Sequence, residues 1–332
     1  MKVCILGVGS YGTALAAALA ALHKNVVVWD ANLSVLESIA KHGENKRYHP
    51  GIALPHNIQP VFTPQEAVED ARMVLFAVPS HAMRKVALQV ASFLPAHVPV
   101  VAAAKGIEEG TLMTMTQVLE SCLPEPFHPY LAVLSGPSFA REILLGHPTV
   151  MTAAARWDKV ARKCQQAFNS KAFRVDISGD IVGVQMGGAL KNVVAIAAGM
   201  AEGLGLGHNA RAAIMTAGLS EVAQLAVRMG GNPITLYGLA GMGDLVLTCT
   251  GALSRNRSIG FALGQGRKLP DILAELGQVA EGVSAAHSAH VLSTQKSLSM
   301  PICRQVYEVL YEGKSPEQAI ADWMAQPAPE VW

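Results

Sequence analysis

The 332-residue sequence predicts an α/β fold: a Rossmann-type doubly wound sheet in residues 1–179, followed by an all-helical domain in residues 180–332. Three observations carry this. Short apolar, β-branched runs alternate with helical patterns as far as Val175. The first run turns directly into Gly7-Val8-Gly9-Ser10-Tyr11-Gly12 and an alanine-rich helix. Past Asp176-Ile177-Ser178-Gly179 the strand signal stops, and long alanine- and glycine-tolerant helical patterns take over.

The run Val3 to Leu6 reads as the first strand, and Ser10 to about Leu22 as the first helix. Between them, a strand must reverse into a helix tightly enough for its backbone to touch a pyrophosphate. Gly7 allows the turn, Gly9 the approach of the phosphates, and Gly12 the close packing of helix on strand. The helix then points its N–H groups and positive dipole end at the anion. A second strand, Val26 to Trp29, ends in Asp30, placed about 20 positions on to accept from the ribose hydroxyls of an adenine dinucleotide. This is a Rossmann-type start. A secretory signal or membrane span over Val3 to Leu22 is excluded, because glycines and Ser10, Tyr11 and Thr13 interrupt its apolar core.

A helix from about Leu33 to Lys41 leads into a polar, proline-broken loop, His42 to Pro60. Its histidines, His42, His49 and His56, match no metal-ligand spacing and read as solvated. Tyr48, beside Lys46 and Arg47, reads as a flap over the cofactor. Strands follow at Met73 to Val78, Val98 to Ala104, Leu131 to Leu134, Thr149 to Thr152 and Phe173 to Val175. Several end in polar or glycine-containing groups, including Lys105-Gly106 and Ser135-Gly136-Pro137-Ser138, at the sheet edge where ligands bind in open α/β folds.

The helix from about Asp180 to Ala201 carries Lys191-Asn192 in an almost wholly apolar stretch. Burial disfavours the charged form of such a lysine, which suits a general base. Further on, Asp244 sits in a glycine-rich turn and Thr248 follows it. Ser254 reads as the N-cap of a helix to Leu263, and the Ser254-Arg255-Asn256-Arg257 run forms a cradle for a phosphate dianion. Glu281-Gly282 reads as a loop. His287 and His290 lack a third ligand, and the tail from Gln326 reads as mobile.

Apolar residues make up 51% and charged ones 15%, more apolar surface than a monomer needs, which points to an oligomer. A net charge of +1 gives no footprint for nucleic acid or an anionic membrane, leaving small molecules as partners. Five scattered cysteines without a CxxC pair fit neither a disulfide framework nor a zinc site, and the chain reads as reduced and cytoplasmic. With a nicotinamide dinucleotide as the hydride source, Lys191 reads as the proton donor and acceptor, and Lys105 and Asp244 as the catalytic groups that fix its charge state and the substrate oxygens. Thr248 reads as a further hydrogen bond, and Arg255 with Asn256 as the hold on an anionic group; together they read as a dehydrogenase of a small phosphorylated alcohol or ketone.

The ordered set Gly7 to Ala14, Ala104 to Gly106, Ser135 to Ala140, Gly187 to Asn192, Gly241 to Leu245 and Ser254 to Arg257 resembles that of the bacterial NAD(P)-dependent glycerol-3-phosphate dehydrogenases. The resemblance covers nearly the whole chain. It implies reversible interconversion of dihydroxyacetone phosphate and sn-glycerol 3-phosphate, feeding glycerophospholipid synthesis, by a cytoplasmic homodimer. It further implies that Lys191 is the proton acceptor in alcohol oxidation. By the same resemblance Lys105, Gly136, Ser138, Asp244, Ser254, Arg255 and Asn256 meet the substrate, and Ser10, Tyr11, Lys105, Ala140, Arg255, Val279 and Glu281 meet the cofactor. Members that favour the phosphorylated cofactor often carry His or Arg after the tryptophan of the second strand. Here Trp29 is followed by Asp30, whose carboxylate repels a 2′-phosphate and argues for NAD at least as well as NADP, while Arg47 and Lys46 offer a cation for that phosphate from the loop. Two rival readings share the fold: a 3-hydroxy-acid or ketopantoate-type dehydrogenase, which has less need of a phosphate cradle, and a non-catalytic dinucleotide sensor.

Overall fold

In the computed structural model, which describes residues 1–23, 25–277 and 280–326, the chain divides into two compact units, Met1–Gln185 and Met186–Trp332. Val279 and the tail residues 327–332 lie outside the described residues.

The first unit is built on one eight-stranded sheet. Its strands are β1 (Lys2–Leu6), β2 (Asn25–Trp29), β3 (Ile58–Pro60), β4 (Met73–Phe76), β5 (Val100–Ala102), β6 (Leu131–Ser135), β7 (Thr149–Ala155) and β8 (Phe173–Ser178). The order β3-β2-β1-β4-β5-β6-β7-β8 reverses direction between β1 and β4, which makes the carboxyl end of β1 the topological switch point. Val3, Ile5, Val26, Val28, Val74 and Val100 are buried, because helices cover both faces of a parallel sheet and leave no solvent side. Those helices are α1 (Ser10–Ala20), α2 (Leu33–His42), α3 (Pro64–Val68), α4 (Met83–Val90), α5 (Met115–Cys122), α6 (Ala140–Leu144) and α7 (Asp158–Phe168).

Two features depart from the sequence reading. The His42 to Pro60 loop contains a short edge strand, β3, pairing Val26 with Ile58 and Val28 with Pro60. In addition β7 runs antiparallel to β6, with Leu134 opposite Ala153. Residues 136–148, with the five-residue α6, join the two strands.

The long helix α8 (Ile181–Gly203) starts at an Asp180 cap, whose carboxylate accepts from the Gly183 N–H at 2.8 Å. It is apolar enough to cross a membrane by length and composition, yet 89% of its most apolar window is buried within the protein. In the second unit it is followed by α9 (Gly207–Arg228), α10 (Asp244–Thr250), α11 (Arg255–Gly264), α12 (Leu269–Leu276), α13 (Glu281–Gln295), α14 (Pro301–Tyr311) and α15 (Pro316–Met324). Helices α8 and α11 touch backbone to backbone: a Cβ on Gly199 would fall 2.1 Å from the Arg257 carbonyl oxygen, and one on Gly260 2.0 Å from that of Ile196. That contact fixes where α11 begins relative to Lys191 and Asn192 on α8.

Candidate active site

At the switch point, Gly7 adopts φ +97° immediately after β1, and a Cβ there would meet the Val78 nitrogen at 2.7 Å. A Cβ on Gly12 would sit 1.9 Å from the Gly7 carbonyl oxygen. Neither position accepts a side chain. At Gly9 the reverse holds, since a Cβ would meet nothing within 4 Å. The loop thus keeps an open face at Gly9 beside the first N–H groups of α1, a cradle that fits a dinucleotide's diphosphate.

Around the loop the first unit gathers several of the residues named from sequence. Lys105, just past β5, donates to the Gly136 carbonyl at 2.8 Å and to Ser138 Oγ at 3.2 Å, and lies 5.5 Å from the centre of the Tyr11 ring. Ala140 opens α6, which packs on α1. Asp30 is tied back into the loop: Oδ2 accepts from the Val8 N–H at 2.7 Å and Oδ1 from that of Asn32 at 2.8 Å. Tyr48 is half-buried against the core with the Arg47 guanidinium 5.7 Å from its ring centre, so it packs as part of the unit's wall.

The expectation of solvated loop histidines fails for His49, which is 7% exposed. Its Nε2 lies 2.9 Å from the Ser10 carbonyl oxygen and 3.1 Å from Ser10 Oγ. Burial, with the Arg141 charge adding to it, pushes its pKa below the ordinary 6.5 against the Ser10 hydrogen bond. The residue that sequence reasoning missed altogether is Asn45, fully buried, whose Nδ2 donates to the Val8 carbonyl and to Thr13 Oγ1, both at 2.8 Å. Asn45 sits in a polar loop sequence, and only the fold shows that its side chain turns back on the glycine loop.

In the second unit, Lys191 is 8% exposed and donates to Asp244 Oδ1 at 2.5 Å and to Thr248 Oγ1 at 2.9 Å. Asp244 and Thr248 lie four residues apart on α10 and so share a face. The turn before them, Leu239–Gly243, is π-helical, and its width lets the Ala240 carbonyl approach Gly187 on α8. The Lys191 ammonium thus has two fixed acceptors, a carboxylate oxygen and a hydroxyl oxygen, which set the direction of its N–H bonds.

Ser254 caps α11 as expected, accepting from the Arg257 N–H at 3.3 Å. Arg255 is exposed on the first turn, and Asn256 Oδ1 accepts from the Gly282 N–H at 3.1 Å. A Cβ on Gly282 would meet both Asn256 Oδ1 and the Asn192 carbonyl oxygen, so Asn192, Asn256 and the start of α13 are brought together. Glu281-Gly282 is therefore the first turn of α13, correcting the loop reading. Arg257 leaves the cradle: it forks onto Glu202 of α8, which also accepts from Arg211 at 3.3 Å. Val279, assigned to the cofactor by resemblance, lies outside the described residues.

Residues 2–161 match the family model for the N-terminus of NAD-dependent glycerol-3-phosphate dehydrogenase, and residues 180–321 match that for its C-terminus. A glycerol-3-phosphate dehydrogenase [NAD(P)+] of Myxococcus xanthus is 56% identical over 332 residues, covering 100% of this chain and 99% of that one. The Anaeromyxobacter dehalogenans enzyme of the same name is 51% identical over 332 residues, covering both chains fully. The crystal structure of glycerol-3-phosphate dehydrogenase from Coxiella burnetii superposes with a TM-score of 0.92 at 34% identity, covering 98% of this chain and 99% of that one. With both halves matched and the glycine loop and buried lysine in place, the chain belongs to the NAD-dependent glycerol-3-phosphate dehydrogenase family.

Proposed function

We propose that the protein interconverts dihydroxyacetone phosphate and sn-glycerol 3-phosphate with a nicotinamide dinucleotide. The observation that carries this is the buried Lys191, hydrogen-bonded to Asp244 and Thr248 within a family of such dehydrogenases. When bound, the reduced dinucleotide supplies the hydride that reaches the carbonyl carbon. Lys191 gives a proton to the carbonyl oxygen as it becomes the alcohol, and takes one back in alcohol oxidation. Asp244 and Thr248 fix the direction of its N–H bonds, so the proton is delivered along one line. Ser254, Arg255 and Asn256 hold the substrate phosphate at the first turn of α11, where the helix dipole and the guanidinium both favour a dianion. Lys105, Gly136 and Ser138 meet the substrate as well. Ser10, Tyr11, Lys105, Ala140, Arg255, Val279 and Glu281 meet the dinucleotide, with Tyr48 beside it.

The carboxylate of Asp30 at the end of β2 favours NAD over NADP, because a 2′-phosphate brought near it meets like charge. NADH is used at least as well as NADPH. The protein acts as a cytoplasmic homodimer, and its alcohol product is the backbone of glycerophospholipids.

The test is loss of NADH absorbance on adding dihydroxyacetone phosphate, with NADPH run in parallel. Turnover with NADH that disappears in Lys191→Ala supports the reading. Binding of NADH without turnover by the wild type identifies a sensor, and a large preference for NADPH overturns the role given to Asp30.

A further inference from the structure

We propose that His49 is a positioning residue for the dinucleotide: its imidazole turns the Ser10 hydroxyl so that the hydroxyl proton faces the diphosphate. The inference rests on the dinucleotide reading of the Gly7–Gly12 loop and goes one step beyond it.

His49 Nε2 lies 2.9 Å from the Ser10 carbonyl oxygen, and a carbonyl only accepts. Nε2 therefore carries the proton. The same N–H is 3.1 Å from Ser10 Oγ, so this oxygen also accepts from it. The hydroxyl's own proton is thereby directed away from the ring. Ser10 is the first residue of α1 and follows Gly9, whose open face is where a diphosphate fits. A serine hydroxyl aimed there adds a donor to the helix N–H groups without an ordering cost at the moment of binding.

The rest of the loop is held in the same way, which makes the direction of Ser10 reproducible. Asn45 Nδ2 grips the Val8 carbonyl and Thr13 Oγ1, Asp30 Oδ2 accepts from the Val8 N–H, and Thr13 Oγ1 donates to the Gly9 carbonyl at 2.8 Å. His49 extends this grip by one residue. Ser10 on α1 and the Arg141 guanidinium on α6 are the groups that act on the imidazole, and the neutral ring with its proton on Nε2 is the form that suits them.

The experiment is calorimetric titration of NADH into the full-length protein without substrate, for the wild type, His49→Ala, His49→Gln, Ser10→Ala and the His49→Ala/Ser10→Ala double variant. Steady-state kinetics are run beside it. His49→Ala is expected to weaken NADH about tenfold, the size of one hydrogen bond to a charged group. The loss falls on Kd and on the KM for NADH rather than on kcat. His49→Gln, whose amide N–H reaches the same oxygens, recovers most of it. Ser10→Ala loses as much as His49→Ala, and the double variant loses no more than either. Equal NADH affinity in His49→Ala and wild type overturns the role of His49, as do single losses that add in the double variant. If His49→Ala does not fold, His49→Gln and Ser10→Ala decide: wild-type affinity in the second removes the proposed hydroxyl contact. A wild type that binds no NADH overturns the dinucleotide reading itself, and the role of His49 with it.

Discussion

Lys191 Nζ lies 2.5 Å from Asp244 Oδ1, and the approach is permitted by Gly187, one turn earlier on the same helix, where no Cβ stands in the way of the Ala240 carbonyl. Both partners are out of solvent, Asp244 at 1% exposed. Removing one of two buried charges strands the other, at a cost of about 3–5 kcal/mol, whereas replacing both with apolar groups of similar size is close to neutral. Lys191→Ala and Asp244→Ala are therefore each expected to lower stability by that amount in urea denaturation. The double variant Lys191→Met/Asp244→Leu is expected to recover most of the stability and none of the turnover. Turnover in Lys191→Ala falls by about 10²–10⁴-fold, the range of a lost general acid–base. Recovery of activity in the double variant would remove Lys191 from proton transfer.

Gly187→Ala tests the geometry from the other side. Its Cβ would sit 2.5 Å from the Ala240 carbonyl oxygen and 3.1 Å from Gly241 Cα, so the π-helical turn must move and carry Asp244 with it. A stability cost of about 1–3 kcal/mol is expected. Turnover is expected to drop while the calorimetric affinity for NADH, assigned under the proposed function to the glycine loop of the first unit, stays within twofold. Unchanged turnover would mean that the turn yields without moving Asp244.

The sheet was largely legible because strands buried on both faces must be continuous apolar runs, and Val3 to Leu6 or Val26 to Trp29 can be little else. What was not legible has physical causes. The edge strand β3 is three residues ending in Pro60, too short to show a period. The direction of β7 is not written in its own residues, since the same apolar run pairs in either direction. Lys191 stood out because an ammonium in an apolar helix is rare, and Asp244 because a carboxylate amid glycines is. The Ser254 to Arg257 run misled in one respect: two arginines two positions apart on a helix point in different directions, so Arg255 is exposed and Arg257 turns to Glu202. His49 reads from sequence only as one of three loop histidines and Asn45 as an ordinary loop residue, because their contacts to Ser10 and Val8 span more than thirty residues of sequence.

Asn45 is the more demanding of these two. It is fully buried and satisfies the Val8 carbonyl and Thr13 Oγ1, which in Asn45→Ala lose their donor inside the protein. The expected loss is about 1–3 kcal/mol in thermal or urea unfolding. Asn45→Asp is expected to be worse, because a carboxylate oxygen then faces the Val8 carbonyl. NADH affinity is expected to fall in both, since Val8 lies between Gly7 and Gly9 of the loop proposed to take the diphosphate. Full retention of NADH affinity in Asn45→Ala would show that the loop keeps its shape without this brace.

Glu221 supplies a pH dependence of its own. It is 4% exposed in the middle of α9, and its two carboxylate oxygens accept from the Ile302 and Cys303 N–H groups at 2.7 and 3.0 Å, at the first turn of α14. Those bonds favour the ionised form, but desolvation outweighs them and raises the carboxyl to about 7 from 4.5. The folded state therefore binds the proton more tightly than the unfolded chain. Its contribution to stability is fully present below pH 4.5, declines above that and is lost as pH rises through 7, a difference on the order of 3 kcal/mol. Glu221→Gln cannot ionise, and its amide meets one N–H with its oxygen while turning a donor toward the other. It should be less stable than the wild type at pH 5, and by pH 8 the gap should have narrowed or closed. Unfolding free energies from urea titrations at pH 5, 6, 7 and 8 for both proteins check this: a gap that stays constant across the series would show that Glu221 is ionised in the folded protein throughout, held by the helix N-terminus against the cost of burial.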